Sequence, residues 1–579
     1  MLIYKQLEHG RSMYLYYPPI PIRTPFKRSS LIVLRDGGDE ASAQSLLETW
    51  HLEKIALKWE MVIAFPNPTE SGWNYRQDSN QSNDIGMIEN AENEISSPNN
   101  EPLRFTPNGI PYVSSMLSHW SLCGDVRYII GTGSGMLMAL RIAANKPMMA
   151  AAMLLDGAKD QEDNHRIQSF AEELCRNNFL RTTMPVHLTK SMSTGVNKWF
   201  ARSNGQIPTK GTETEHITPE VVEEAVSNLF MKYRRTLTGP ELVGETEPRL
   251  NLDQWRMEFH SGEILEGDTS EKRHTWFVYI PQALREALKV GMKSNRDYLG
   301  KPRWQCAKVP LMIFFHGGSG TPIEAADCCK FHEIAEHENF IVVYPLGTNG
   351  CSWNVEMDED GENDMEFTRL LILYMGAHYP VDLSRVYLSG FSAGAGQAFA
   401  FAMVHPEMIA AICPIDSNWP GPRKGPSDID VRKIRPFAEG IRKMQEGDYR
   451  MPIWYTYGDH ELSCPVYRRC SQQHMYDYWK YINHIEIKPT PEQGKTGNFL
   501  CGVKGDQTEI IKGVSKRHPS NWYEVQRFWS TDAHPLNLYN YVLMHNKGHE
   551  CAEMDSQLGW NYVKQFARTE EGKLKVLNS

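Results

Sequence analysis

Apolar residues along this 579-residue chain come in short uninterrupted runs, several of them closed by glycine. Leu31-Ile32-Val33-Leu34 leads into Arg35-Asp36-Gly37-Gly38, and Leu311-Met312-Ile313-Phe314-Phe315 leads into His316-Gly317-Gly318. Such runs, with no polar alternation, read as strands buried on both faces, the pattern of a parallel sheet. Each half repeats one succession: an apolar strand, a Gly-rich turn, a stretch of helical periodicity, another apolar strand. It predicts an α/β fold in which a mostly parallel sheet carries helices on both faces. Residues 13–21, MYLYYPPIP, and 275–284, TWFVYIPQAL, stand ahead of these runs and are expected to be antiparallel strands that open each sheet.

The two halves repeat each other in order. Asp36 and His316 are 280 positions apart, as are Trp73 and Trp353, with Gly72-Trp73-Asn74 answering Ser352-Trp353-Asn354. VRYIIGTGSGMLMALRIAANKP (126–147) matches RVYLSGFSAGAGQAFAFAMVHP (385–406) at an offset of 259. The smaller offset puts extra residues in the first copy. Residues 76–103, rich in Asn, Ser, Glu and Pro, are expected to form an irregular, disordered insertion there. Met184-Pro185-Val186 answers Met451-Pro452-Ile453, and Asn228, Arg235 and Thr236 after His216 answer Asn561, Arg568 and Thr569 after His549. Two domains are expected, 1–240 and 251–579, meeting in the polar stretch 238–250 with its Gly and Pro. The chain is long enough for two cores.

Charge narrows the partners. With 61 Lys and Arg against 71 Asp and Glu, the formal net charge of -10 lacks the basic footprint that nucleic-acid binding through phosphates requires. No stretch is long and apolar enough to span a membrane, and no basic region feeds an apolar core at the N-terminus, so a cytoplasmic location is expected. The 11 cysteines are scattered without a CxxC pair. Reduced thiols fit that better than a disulfide framework or a zinc site, and no metal or cofactor is expected.

The second copy carries the candidate chemistry. Gly390-Phe391-Ser392-Ala393-Gly394 lies between an apolar strand and a small-residue helix, the setting of a nucleophile elbow with Ser392 exposed at its tip. An oxyanion needs preorganised N–H donors, and these are assigned to Ala393 and to Gly318, with Gly317 the alternative, in the loop after Phe315. The base is expected after the last apolar strand: His549 in HNKGHE, preferred over His545, which would still lie in the strand. The acid follows the strand MPIWYTY, where Gly458-Asp459-His460-Glu461 offers Glu461, with Asp459 as alternative. Trp353 and Trp419 fall in loops rimming the strand ends, where they line a substrate pocket or anchor their own loops. In the first copy Gly133 stands at the nucleophile position and Asp36 at that of His316. Met192 and Thr194 stand opposite Asp459 and Glu461, leaving His216 as a lone, structural histidine. Hydrolysis by the same mechanism is not expected there.

Taken together, HGGSG, SWN, GFSAGA, GDHE and KGHE resemble the poly(3-hydroxybutyrate) depolymerase and feruloyl esterase branch of the α/β-hydrolases, over about residues 270–570. The resemblance implies two tandem α/β-hydrolase-type domains, the first degenerate. It implies ester hydrolysis by a Ser-acid-His triad without a metal, through an acyl-enzyme resolved by water. The commoner acid in that branch is Asp where Glu461 stands here. The expected partner is a small or oligomeric ester. Peptidase or acyltransferase chemistry on the same triad, and a non-catalytic scaffold, are the competing readings.

Overall fold

The computed structural model describes residues 2–19, 28–77, 83–89, 104–105, 111–112, 122–205, 207–236, 238, 244–270, 272–291, 306–318, 320–348, 353–355, 362–416, 435–460, 469–486, 503–514 and 520–577. The chain is an α/β protein with two large, mostly parallel sheets. It divides into two compact units, Met1–Arg23 with Lys27–Leu250, and Thr24–Phe26 with Asn251–Ser579.

The sheet of the first unit contains β1 (Ile3–Gln6), β2 (Ser12–Tyr16), β3 (Arg28–Leu34), β4 (Met61–Pro66), β5 (Leu122–Thr132), β6 (Ala152–Asp156), β7 (Val186–Leu188) and β8 (Thr209–Gly211). Their order is β1-β2-β4-β3-β5-β6-β7-β8, antiparallel only at the β1 and β2 edge. That of the second unit contains β9 (Glu258–Glu263), β10 (His274–Tyr279), β11 (Val309–Phe315), β12 (Ile341–Pro345), β13 (Val381–Phe391), β14 (Ala411–Ile415), β15 (Ile453–Gly458), β16 (Gln507–Lys512), β17 (Trp522–Trp529) and β18 (Asn537–His545). Their order, β9-β10-β12-β11-β13-β14-β15-β18-β17-β16, repeats the first and adds the antiparallel β16 and β17 at the far edge. Met61–Pro66, Ala152–Asp156, Ile341–Pro345 and Ala411–Ile415 are buried at every residue, which is why their sequences run apolar without alternation.

Corresponding residues make corresponding bonds. Asn74 N donates to Asp84 Oδ2 and Asn354 N to Asp364 Oδ2, both at 2.6 Å. Arg235 Nε reaches Ala150 O at 3.0 Å, and Arg568 Nε reaches Ile409 O at 2.6 Å. Burial lowers these two guanidinium groups to about 9 and about 10, so both stay charged at neutral pH. The bond from Asn74 to Asp84 corrects one expectation. The 280-residue register runs on past residue 76, and 84–89 are helical, as is the segment from Asp364. The remaining parts of the expected insertion, 78–82 and 90–103, lie outside the described residues.

In the second unit the chain leaves β11 to form β12 on one side, then returns to form β13 on the other. The carboxyl ends of β11 and β13 flank the resulting switch point, where open α/β sheets bind ligands. β11 ends immediately before His316, and β13 immediately before Ser392.

Candidate active site

Ser392 sits between β13 and the helix Ala393–Val404 with φ 53° and ψ −118°, a conformation that costs a non-glycine residue about 1–3 kcal/mol. The flanking glycines make the turn possible. A Cβ on Gly390 would overlap the backbone of Gly394, and one on Gly394 would overlap the carbonyl of Phe315 at the end of β11. The turn is pinned from below, since Ser392 N donates to Ile415 O at 3.0 Å. Its side chain is thereby aimed at the loop after β18, where His549 Nε2 lies 3.0 Å from Ser392 Oγ. With the hydroxyl donating to Nε2, the imidazole proton belongs on Nδ1. Phe391 packs its ring on His549, with centroids 4.7 Å apart.

The other candidates divide. His545 ends β18 and stacks on Trp522 at 3.5 Å, with its Nδ1 3.2 Å from Asp459 Oδ2. Asp459 Oδ1 meets His460 Nδ1 at 2.8 Å and accepts from Lys547 N at 3.2 Å. Burial alone would raise the Asp459 pKa, and the bonds from His545, His460 and Lys547 more than reverse that. Asp459 is therefore committed on both oxygens. Glu461 and Trp419 lie outside the described residues.

The donor loop is held from several sides. Gly317 approaches the elbow so closely that a Cβ there would stand 3.0 Å from the Phe391 ring. Gly318 follows it in an exposed turn, and Ala393 opens the helix, its amide at the positive end of the helix dipole. His316 is buried. Its Nε2 accepts from Gly347 N at 3.0 Å, so its Nδ1 carries the proton and donates to Gly317 O at 2.7 Å. Burial pushes its pKa down to about 4, which keeps it neutral. Trp353 is 3% exposed, with its indole N–H on His316 O at 2.8 Å and its ring edge-on to Phe315. These contacts anchor the loop, the second of the two roles open to it in the sequence.

Three residues of the second unit have no signal in the sequence. Asp416 follows β14 with φ 51° and is 2% exposed. Its Oδ1 accepts from Gly458 N at 2.8 Å and its Oδ2 from Glu550 N, the residue after His549, at 3.1 Å. Lys547 Nζ lies 2.9 Å from Asp416 Oδ2 and 2.8 Å from Asp555 Oδ2, with all three side chains inaccessible to solvent. Lys547 stood in the quoted KGHE motif, but its partners are 131 positions before it and 8 after, so only folding reveals the cluster.

In the first unit Gly133 takes φ 57° and ψ −132°, close to the backbone of Ser392. The side chains around it differ from those at Ser392. A Cβ on Gly133 would collide with the Asp36 carboxylate, which accepts from Ser134 N at 2.6 Å and also from Ser134 Oγ. Ser134 N is the counterpart of the Ala393 amide, so a carboxylate of the chain already fills that donor. His216 is not the lone histidine expected. Its Nδ1 lies 3.1 Å from Asp156 Oδ1, and Asp156 Oδ2 accepts from Ile217 N at 3.2 Å, as Asp416 does from Glu550 N. The acid comes from the end of β6 and not from the loop where Met192 and Thr194 were compared.

Among the described residues, no group of three or more His, Cys, Asp or Glu is arranged to hold a metal ion, and no helix is long and apolar enough to cross a membrane. Cys175, Cys306, Cys328, Cys329, Cys413 and Cys551 are free thiols.

No family model matches the chain. It is 33% identical over 139 residues to the bifunctional acetylxylan esterase/xylanase XynS20E of Neocallimastix patriciarum, covering 24% of this chain and 20% of that one. It is 29% identical over 121 residues to poly(3-hydroxyalkanoate) depolymerase C of Paucimonas lemoignei, covering 20% and 29%. Part of this chain is similar to esterases of the α/β-hydrolase type. A third relative, feruloyl esterase B of Talaromyces funiculosus, is 24% identical over 123 residues, covering 20% of this chain and 35% of its own. The matched stretch spans about a third or less of each relative's length.

Proposed function

We propose that the second unit hydrolyses carboxylic esters, with Ser392 as nucleophile, His549 as base and Glu461 as the acid partner. The reading is carried by the 3.0 Å approach of His549 Nε2 to Ser392 Oγ at a strand-to-helix turn. Ser392 Oγ attacks the ester carbonyl while its proton passes to Nε2. The carbonyl oxygen becomes an oxyanion that the amides of Ala393 and Gly318 receive, each such donor being worth about 3 kcal/mol. His549 then protonates the departing alcohol, and water activated by the same Nε2 releases the acid. Glu461 accepts from Nδ1–H and stabilises the imidazolium. Asp459, the alternative, is less suited because His545 and His460 already claim its oxygens.

The names of the relatives point to acetyl and feruloyl esters and to polyesters, so small or aromatic acyl esters are the substrate class assigned to this site. The first unit has a non-catalytic role in this reading, since Gly133 has no hydroxyl and Asp36 holds the Ser134 amide. The test is hydrolysis of p-nitrophenyl acetate and methyl ferulate by the full chain beside Ser392→Ala and His549→Gln. Turnover of either ester that both substitutions abolish supports the assignment. Turnover that survives Ser392→Ala, or no turnover by the wild type, rejects it.

A further inference from the structure

We infer that Lys547, clamped between Asp416 and Asp555, is a positioning residue that sets His549 against Ser392; the inference rests on the serine-hydrolase reading above. The ammonium joins two elements that bracket the catalytic histidine. Asp416, at the end of β14, holds Glu550 N at 3.1 Å and Gly458 N at 2.8 Å. Asp555, in the first turn of the helix Glu553–Val563, holds Ala552 N at 2.9 Å. His549 lies two residues after Lys547 and immediately before the anchored Glu550. The backbone of Lys547 is fixed as well, with its N–H on Asp459 Oδ1 at 3.2 Å and its carbonyl accepting from His460 N at 3.0 Å. A Cβ on Gly458 would stand 2.6 Å from the carbonyls of both Lys547 and Gly548, so β15 closes directly onto this loop.

Burial opposes the charge on Lys547, and Asp416 and Asp555 more than compensate, raising its pKa above the ordinary value. Burying three ionised groups is a poor way to gain stability, because desolvation offsets most of the Coulombic attraction. The first unit demonstrates that the fold does without it. Asp156 holds Ile217 N there as Asp416 holds Glu550 N, but Thr214 and Val222 stand at the positions of Lys547 and Asp555, and the same strand and helix, Thr209–Gly211 and Pro219–Asn228, still form around His216. The ion cluster accompanies the serine, not the fold. A site that needs one imidazole position gains from a corner fixed by charge-assisted bonds.

The test is Lys547→Met, which keeps the unbranched stem, one atom shorter, and removes the charge. Rates are taken per active site, titrated by the p-nitrophenol burst or with a fluorophosphonate, so that unfolded protein does not count. We expect kcat per site to fall at least about 10-fold with KM within twofold, as a misplaced base produces. Asp555→Asn, which leaves the contact between Lys547 and Asp416, should lose less. A Lys547→Met enzyme with wild-type kcat per site overturns the inference. If that variant does not fold, Asp416→Asn and Asp555→Asn carry the test, and wild-type kcat per site in both overturns it. A wild type that neither labels at Ser392 nor hydrolyses esters removes the serine-hydrolase reading and this inference with it. An active wild type with unimpaired variants removes the inference alone.

Discussion

Acidification from pH 7 to pH 5 acts on this protein through His316. The ring is 1% exposed, and its Nε2 is already the acceptor of the Gly347 amide, so a second proton would break that bond and bury a charge. Burial holds its pKa at about 4 against an ordinary 6.5. The unfolded chain therefore takes up the proton at higher pH than the folded one. The stability from this residue is whole above pH 6.5 and is lost as pH falls towards 4. With these two values the loss is about 2 kcal/mol between pH 7 and pH 5, out of about 3 kcal/mol in all. Other groups titrate over the same range, so the readout is a difference. Urea unfolding is measured at both pH values for the wild type and for His316→Gln, which does not titrate. The wild type should lose about 2 kcal/mol more than the variant. Equal losses would refute the claim that the donor loop is built on a buried neutral imidazole.

Other predictions concern the same site. Gly394→Ala puts a methyl group into the Phe315 and His316 carbonyls, and should lower kcat about 100-fold while costing about 1–3 kcal/mol of stability, read by ester kinetics and thermal unfolding. Glu461→Gln should lower kcat by more than about 100-fold, whereas Asp459→Asn should leave it within about 10-fold; the reverse order in steady-state kinetics would transfer the acid role to Asp459. Gly133→Ser should leave the first unit unreactive towards a fluorophosphonate in a Ser392→Ala background, because the new side chain runs into the Asp36 carboxylate, a negative group where an oxyanion would have to form.

What could be seen in the sequence was local. The elbow is legible because its chemistry is compressed into five residues whose glycines answer to contacts with the next turn and the adjacent strand. The buried parallel strands are legible because residues covered on both faces have no reason to alternate. The loop after Phe315 is legible for the same reason, whereas the anchoring bond of the Trp353 indole N–H to His316 O joins residues 37 positions apart and has no local signature. Residues 84–89 were assigned to an irregular insertion on composition, although Asp84 has the partner-binding role of Asp364 in the second unit. Asp156, Asp416, Lys547 and Asp555 were missed for a common reason. Each works by converging with a residue from another strand or helix, and no spacing along the chain announces that convergence.

The central claim is that Ser392 is an activated nucleophile, and the direct measurement is reaction of the full-length wild type with a fluorophosphonate followed by peptide mass spectrometry. The account predicts one adduct, on the peptide containing Gly390-Phe391-Ser392-Ala393-Gly394, lost in Ser392→Ala and much slowed in His549→Gln. An adduct on Ser134 or elsewhere with Ser392 unmodified, or none at all, would contradict it.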